Sequence, residues 1–175
     1  MKLIISFSAR KDGNCDSIAD FIKSENDRVV ALCELSIHQC ASCDYECMTG
    51  KCRYREDDIY DLFASMQKYD KIIMIVPMYC GNPSSLYFLL NERSQDYFMN
   101  NADYEEIVRK LFFVGVYGDR NQNPDYLNIF EKWFEGTGIS GHVLGIERHK
   151  FGQKMQDSIL DVAEVRRSLL SFSQR

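Results

Sequence analysis

Five short apolar runs punctuate this chain, and between them apolar residues recur at helical spacing. Lys2 to Ser8 ("KLIISFS"), Arg28 to Leu35 ("RVVALCEL"), Lys71 to Pro77 ("KIIMIVP"), Lys110 to Gly118 ("KLFFVGVYG") and Gly141 to Glu147 read as strands. The third run is unbroken, as suits a central parallel strand covered on both faces. A first helix is expected from Asn14 to Ser24, with Ile18, Ala19, Phe21 and Ile22 inward. A second spans Asp57 to Asp70, with Ile59, Leu62, Phe63 and Met66 inward and Asp57 or Asp58 as N-cap. Pro83 can open a third, with Leu86, Leu89 and Leu90 on one face. A further helix opens on Asn123 and Pro124 and stops at glycines. A last one runs from Gln153 to about Ser171, with Met155, Ile159, Val162 and Ala163 inward.

Strands that alternate with helices predict an α/β fold with a parallel sheet and helices on both faces. With no repeat, linker or low-complexity tract, residues 1–175 read as a single domain. The common five-stranded order of this kind is flavodoxin-like, 2-1-3-4-5, and its ligand sits beyond the carboxyl ends of strands one and three. The loops to inspect are therefore Ser8 to Cys15 and Pro77 to Ser85, with Tyr117 to Asn123 beside them.

Composition narrows the chemistry. A formal charge of −5 argues against nucleic acid as the main partner. The apolar run near the N-terminus is only five residues long, too short for a signal peptide or a membrane span, so a soluble cytoplasmic protein is expected. In that compartment thiols stay reduced, so clustered cysteines point to metal or redox chemistry. There are seven, an odd number, and full pairing is impossible. His38, His142 and His149 are scattered, none beside a nucleophile pattern, so no hydrolase is expected.

Two stretches carry the candidate chemistry. "SFSARKDGNCDSI" sets hydroxyls, Arg10, Lys11 and Gly13 just before a helix, whose N-terminus favours an anion. It holds neither the G-x-G-x-x-G fingerprint nor the nucleoside triphosphate loop. "CASCDYECMTGKC" puts Cys40, Cys43, Cys47 and Cys52 within 13 residues. Zinc usually takes two cysteine pairs on separate knuckles, whereas a compact run of four suits a cubane cluster. An iron–sulfur cluster, zinc and a thiol loop without metal all stay open. Cys33 lies mid-strand and reads as inert core.

The first stretch resembles the "GSPRKNGNTxxL" phosphate loop of the flavodoxin-like, NADPH-dependent FMN reductases. "VPMYCGNPSSLYFLLNER" resembles that family's "TPVYWGNMSGxLKxFxDR", and "CASCDYECMTGKCRYREDD" its "CxxCxxCxxxGxCxxxDD". The motifs come in the family's order and cover roughly the first half of the chain; the second half matches only in its strand–helix pattern. The resemblance implies that Ser8, Arg10 and Asn14 hold an FMN phosphate, with Cys15 where the family has Thr or Ser. Phe7 and Ala9 replace its Gly and Pro. It further implies that Pro77, Met78, Tyr79, Cys80, Gly81 and Asn82 line the isoalloxazine edge and ribityl chain. Tyr117 and Gly118, with Asp119, can approach the ring from the other side, or form a plain surface loop. Cys80 stands where Trp is common, and Tyr87 where Lys lies.

The cysteine run is similar to that of iron–sulfur flavoproteins, although Glu46 occupies the expected third place and Cys47 comes one residue late. The function implied is an FMN-dependent oxidoreductase that passes electrons from NAD(P)H to a flavin, quinone or other small acceptor. It has no catalytic side chain of its own and is a homodimer or higher oligomer. One alternative is an electron-transfer iron–sulfur flavoprotein with a [4Fe–4S] cluster on Cys40, Cys43, Cys47 and Cys52. The other is a non-enzymatic module that senses metal or redox state. Asp57 and Asp58 read as helix caps rather than catalytic groups.

Overall fold

A computed structural model describes residues 1–41, 43–100, 104–154 and 156–175. Its elements run β1 (Lys2–Ser6), α1 (Asn14–Ile22), β2 (Arg28–Ala31), α2 (Asp58–Met66), β3 (Lys71–Tyr79) and β4 (Asn82–Pro83). Then follow α3 (Ser85–Asn100), α4 (Tyr104–Lys110), β5 (Leu111–Tyr117), α5 (Asn128–Glu131), β6 (Val143–Glu147) and α6 (Ala163–Gln174). The sheet order is β2-β1-β3-β5-β6, all parallel, with the two-residue β4 turned back antiparallel on the end of β3. With β4 set aside, this is the expected flavodoxin-like order.

The pleat sorts each strand between two cores. Leu3 and Ile5 on β1, Ile72, Met74 and Val76 on β3, and Leu111 and Phe113 on β5 pack with Leu62 and Phe63 of α2 and Tyr87 and Leu90 of α3. The alternate residues, Ile4, Ile73, Ile75, Val114 and Val116, pack against Ile18 and Ile22 of α1 and Leu169 and Phe172 of α6. A strand buried on both faces has no polar face to show, which is why β3 and β5 read as unbroken apolar runs.

Three spans differ from the sequence pattern. The second strand ends at Ala31, and Leu32 to Glu34 form a 3₁₀ turn, so Cys33 is a half-buried turn residue rather than mid-strand core. The helix expected from Asn123 is reduced to Asn128–Glu131. The Asp119 carboxylate accepts Asn121 N–H at 2.8 Å, and the Asn123 side chain accepts Asp125 N–H at 3.0 Å. The second is the bond an N-cap makes, but the backbone beyond it closes i to i+3 turns, Tyr126 N–H to Asn123 O at 3.2 Å and Asn128 N–H to Asp125 O at 3.0 Å, before α5 begins. The last helix starts at Ala163; Ile159 sits in a 3₁₀ turn before it, and Met155 lies outside the described residues. Among the described residues, no helix is long and apolar enough to cross a membrane.

Gly115 and Gly145 face each other across β5 and β6. A Cβ at Gly115 would stand 2.7 Å from Leu127, and one at Gly145 2.5 Å from the same side chain. Their bare backbones let Leu127 lie flat on the sheet, with Tyr126 beside it donating its hydroxyl to Val76 O at 2.8 Å. This closes one core beneath the loop that follows β5.

Lys71, at the start of β3, is 8% exposed. Its ammonium donates to Phe172 O at 2.7 Å and stands 3.7 Å from the centre of the Phe112 ring. Burial, then repulsion from Lys2 and Arg175, brings its pKa down to about 8. A lysine depressed in the fold destabilises it at pH below that value, and the penalty fades as pH rises toward the unfolded pKa of about 10.4. In thermal unfolding of wild type and Lys71→Met, the difference is expected to move in favour of wild type above about pH 8. A difference that does not change with pH contradicts this.

Candidate functional site

Parallel strands deliver all their carboxyl ends to one edge, and there the loops after β1, β3, β5 and β6 surround a cleft of about 420 Å³. The first loop is built by its own side chains. Phe7 extends β1 through a bond from its N–H to Ile75 O at 2.9 Å. Ser8 then reverses the chain, its hydroxyl accepting Arg10 N–H at 3.1 Å and donating to Arg10 O at 2.8 Å. The Asp16 carboxylate accepts the Ser6 hydroxyl at 2.6 Å and Gly13 N–H at 3.3 Å. Gly13, not Asn14, is therefore the N-cap of α1. The Asn14 side chain turns to the C-terminal segment, accepting Ile159 N–H at 2.9 Å and donating to Asp157 O at 3.5 Å. Cys15 is buried, and that burial pushes its thiol up to about 12, so it is neutral at physiological pH.

The facing wall comes from β3. Pro77, Met78 and Tyr79 line the cleft, and the Arg10 guanidinium stands 5.9 Å from the centre of the Tyr79 ring. Beyond them the chain reverses over Cys80 (φ +49°) and Gly81 (φ +79°), the double left-handed geometry of a two-residue hairpin turn. Asn123 pins the turn by donating to Gly81 O at 2.7 Å. Cys80, Gly81 and Asn82 thus shape the wall without lining the cleft. Tyr117 and Gly118 line its other side.

The last wall was not anticipated. Directly after β6 come Arg148 and His149, and further along the loop Gln153 and Asp157, all lining the cleft. Arg148 N–H bonds to Tyr117 O at 2.9 Å, and His149 N–H to Gly118 O at 2.9 Å, which extends the β5–β6 ladder. Burial lowers the pKa of Arg148; Asp157 opposes it, and the charge of Arg10 adds a smaller lowering. The Gln153 Oε1 atom is buried and meets no donor among the described residues. The available signal was "ERHK", a basic cluster at the carboxyl end of a strand, the edge where such sheets bind ligands.

All four loop cysteines, Cys40, Cys43, Cys47 and Cys52, line a second cavity of about 420 Å³ against α3. Left-handed residues Asp44, Tyr45 and Gly50 let the chain coil around it. Arg93 of α3 holds the coil, donating to His38 O at 2.7 Å, Tyr54 O at 2.8 Å and the Asp57 carboxylate at 2.5 Å. Its Nη2 lies 4.0 Å from Cys52 Sγ, and its buried Nε meets no acceptor among the described residues. Asp96 accepts from Tyr60 at 2.5 Å, Arg55 at 3.0 Å and Cys52 N–H at 3.4 Å. Burial, then repulsion from Cys43, Glu92 and Cys47, raises the Cys40 thiol. None of the seven cysteines is disulfide-bonded. Among the described residues, no three Cys, His, Asp or Glu side chains are placed to hold a single metal ion. Cys15, Cys33, Cys80 and His38 lie outside this cavity. Exposed His38 stacks instead on Tyr54, with ring centres 4.8 Å apart.

Asp57 occupies the N-cap position of α2, but its carboxylate does not cap the helix. It accepts from Arg93 and from His38 N–H at 3.1 Å, in an ion pair whose side chains are 3% and 1% exposed. Asp58 accepts Ser36 N–H at 2.6 Å at the surface. The capping roles expected for both are replaced by these contacts.

Sheet order and the cleft at the carboxyl edge define a flavodoxin-like α/β protein. The chain belongs to the NADPH-dependent FMN reductase family, whose model matches residues 2–126. It is 34% identical over 98 residues to an iron–sulfur flavoprotein of Archaeoglobus fulgidus; the match covers 56% of this chain and 47% of that protein. The chain thus spans about half the length of that curated relative. The Trp repressor binding protein of Bacillus subtilis shares the fold at TM-score 0.66 and 16% identity, over 98% of this chain and 99% of that one. An FMN-dependent NADH-azoreductase of Bacillus anthracis str. Ames Ancestor, in complex with FMN, shares it at TM-score 0.64 and 10% identity, over 99% and 98%.

Breaking a buried ion pair leaves an uncompensated charge and costs about 3–5 kcal/mol. Asp57→Asn is therefore expected to lower the unfolding free energy in urea by about 3 kcal/mol, and Asp58→Asn by under about 1 kcal/mol. Equal small losses would return Asp57 to a capping role.

Proposed function

We propose that the protein is an FMN-dependent oxidoreductase that seats FMN in the cleft at the ends of β1, β3 and β5. One observation carries this: the cationic turn from Ser8 to Asn14 faces the apolar wall of Pro77, Met78 and Tyr79 across a single cleft. The charged end suits a phosphate monoester, met by Arg10, loop amides and the dipole of α1. Cys15, protonated beneath that loop, adds no negative charge to repel it. Asn14 contributes by fastening the C-terminal segment rather than by reaching the phosphate itself. The apolar end suits the isoalloxazine, with Tyr117 and Gly118 on its other side. The Gln153 acceptor, buried without a donor, suits a polyhydroxyl chain such as ribityl.

When bound, FMN would supply hydride acceptance and one- or two-electron release, and the chain's part would be placement and exclusion of water. The family supports NAD(P)H as the electron donor, and a flavin, quinone or other small molecule would be the acceptor. The reading includes a homodimer or higher homo-oligomer, with no nucleic-acid or membrane partner.

A charge-assisted phosphate contact is worth about 1.5–3 kcal/mol, so Arg10→Ala is expected to weaken FMN binding about ten- to hundred-fold. Riboflavin, which lacks the phosphate, should bind wild type and variant alike. Quenching of flavin fluorescence reads both. Equal affinity of wild type for FMN and riboflavin would overturn the phosphate placement.

A second reading adds a [4Fe–4S] cluster on Cys40, Cys43, Cys47 and Cys52. It is favoured by one cavity lined by all four thiols and wider than a single ion needs, with Arg53 and Arg93 as well as Asp44, Glu92 and Asp96 on its wall. Such a cluster would supply single-electron transfer, as the name of the Archaeoglobus fulgidus relative suggests. Anaerobic reconstitution is expected to give about four irons and four sulfides per chain, and Cys47→Ser to lose most of both. One zinc per chain, or no metal with FMN still bound and reducible, would remove the cluster and leave the plain reductase. Absence of FMN binding would leave the metal- or redox-sensing module.

A further inference from the structure

We propose that Arg148, on the loop that follows β6, is a second cationic ligand of the phosphate held by the turn from Ser8 to Asn14. This rests on the FMN reading above.

Arg10 follows β1 and Arg148 follows β6, with β3 and β5 between them in the sheet, yet both line one cleft. Among the described residues, neither guanidinium has a carboxylate within 4.0 Å, although Arg148 is half-buried. Two like charges facing one partly desolvated space repel. Burial lowers the pKa of Arg148 most; Asp157 opposes this, and Arg10 adds a smaller lowering. A dianion between them would offset both charges, and a phosphate monoester is nearly one at neutral pH.

The donors are also in place. Among the described residues Arg148 spends only Nη2, on Lys154 O and on Asp157 O at 3.2 Å. Its guanidinium has five N–H donors, so an edge remains for bidentate contact. The loop that carries it is drawn toward the phosphate turn by Asn14, which bonds Asp157 O and Ile159 N–H. The phosphate would then be gripped from two sides, by the turn after β1 and by the segment after β6.

The test is titration of wild type, Arg10→Ala, Arg148→Met and Arg148→Lys with FMN and with riboflavin. Arg148→Met is expected to lose about ten-fold or more in FMN affinity while riboflavin affinity stays within about two-fold. Arg148→Lys should recover part of the loss, and inorganic phosphate should compete with FMN less well in Arg148→Met than in wild type. Unchanged FMN affinity in Arg148→Met, with affinity lost in Arg10→Ala, overturns the assignment and spares the FMN reading. Equal loss of FMN and riboflavin in Arg148→Met also overturns it, because Arg148 would then only hold its loop. If neither arginine variant changes FMN affinity, the phosphate placement itself falls.

Discussion

The parallel pairing of β1 with β3 and of β3 with β5 is the constraint from which the rest follows. Parallel strands cannot be joined by tight turns, so each needs a crossover, and the crossovers cover both faces with helices. The same geometry sends every carboxyl end to one edge. Chemistry-bearing residues far apart in sequence, Ser8, Tyr79, Tyr117 and Arg148, meet there without a contact of their own having to bring them together. The two cores supply the rigidity. With Ile73, Ile75 and Val114 on one face and Met74, Val76 and Phe113 on the other, the strand ends have little freedom to shift.

The second cavity has a different basis. No sheet edge supports the cysteine loop. It is fastened to α3 by two buried side chains, Arg93 and Asp96, which between them bond backbone or side chains of His38, Cys52, Tyr54, Arg55, Asp57 and Tyr60. Charged groups this deep are costly unless paired, and their pairing fixes one arrangement of the coil. The structure therefore keeps two sites of unlike construction, one framed by backbone topology and the other by a polar network.

Much of this was legible in the sequence where local pattern decides the outcome. The apolar runs of β1, β3 and β5 could only be buried strands, and their alternation with helices gave the sheet order. Ser8, Arg10 and Tyr79 were legible because their neighbours form ordered motifs. The pattern failed where side chains compete for backbone. From Asn123 to Asn128 the backbone closes i to i+3 turns, and the Asp157 carboxylate takes Lys154 N–H at 2.7 Å, so turns stand where helices were expected. It failed also where a role depends on a distant partner. Asp57 looks like a cap until Arg93, 36 residues away, claims it. Arg148 belongs to no motif, and only the fold carries it to the cleft shared with Arg10.

The central claim is that FMN occupies the cleft at the carboxyl edge of the sheet. Hydrogen exchange of backbone amides, with and without FMN, tests it most directly. Protection is expected at Ser8 to Cys15, at Met78 and Tyr79, at Gly118, and along the loop after Glu147, while the amides of Cys43 to Tyr54 are unchanged. Protection confined to the cysteine loop, or none at the turn after β1, would contradict it.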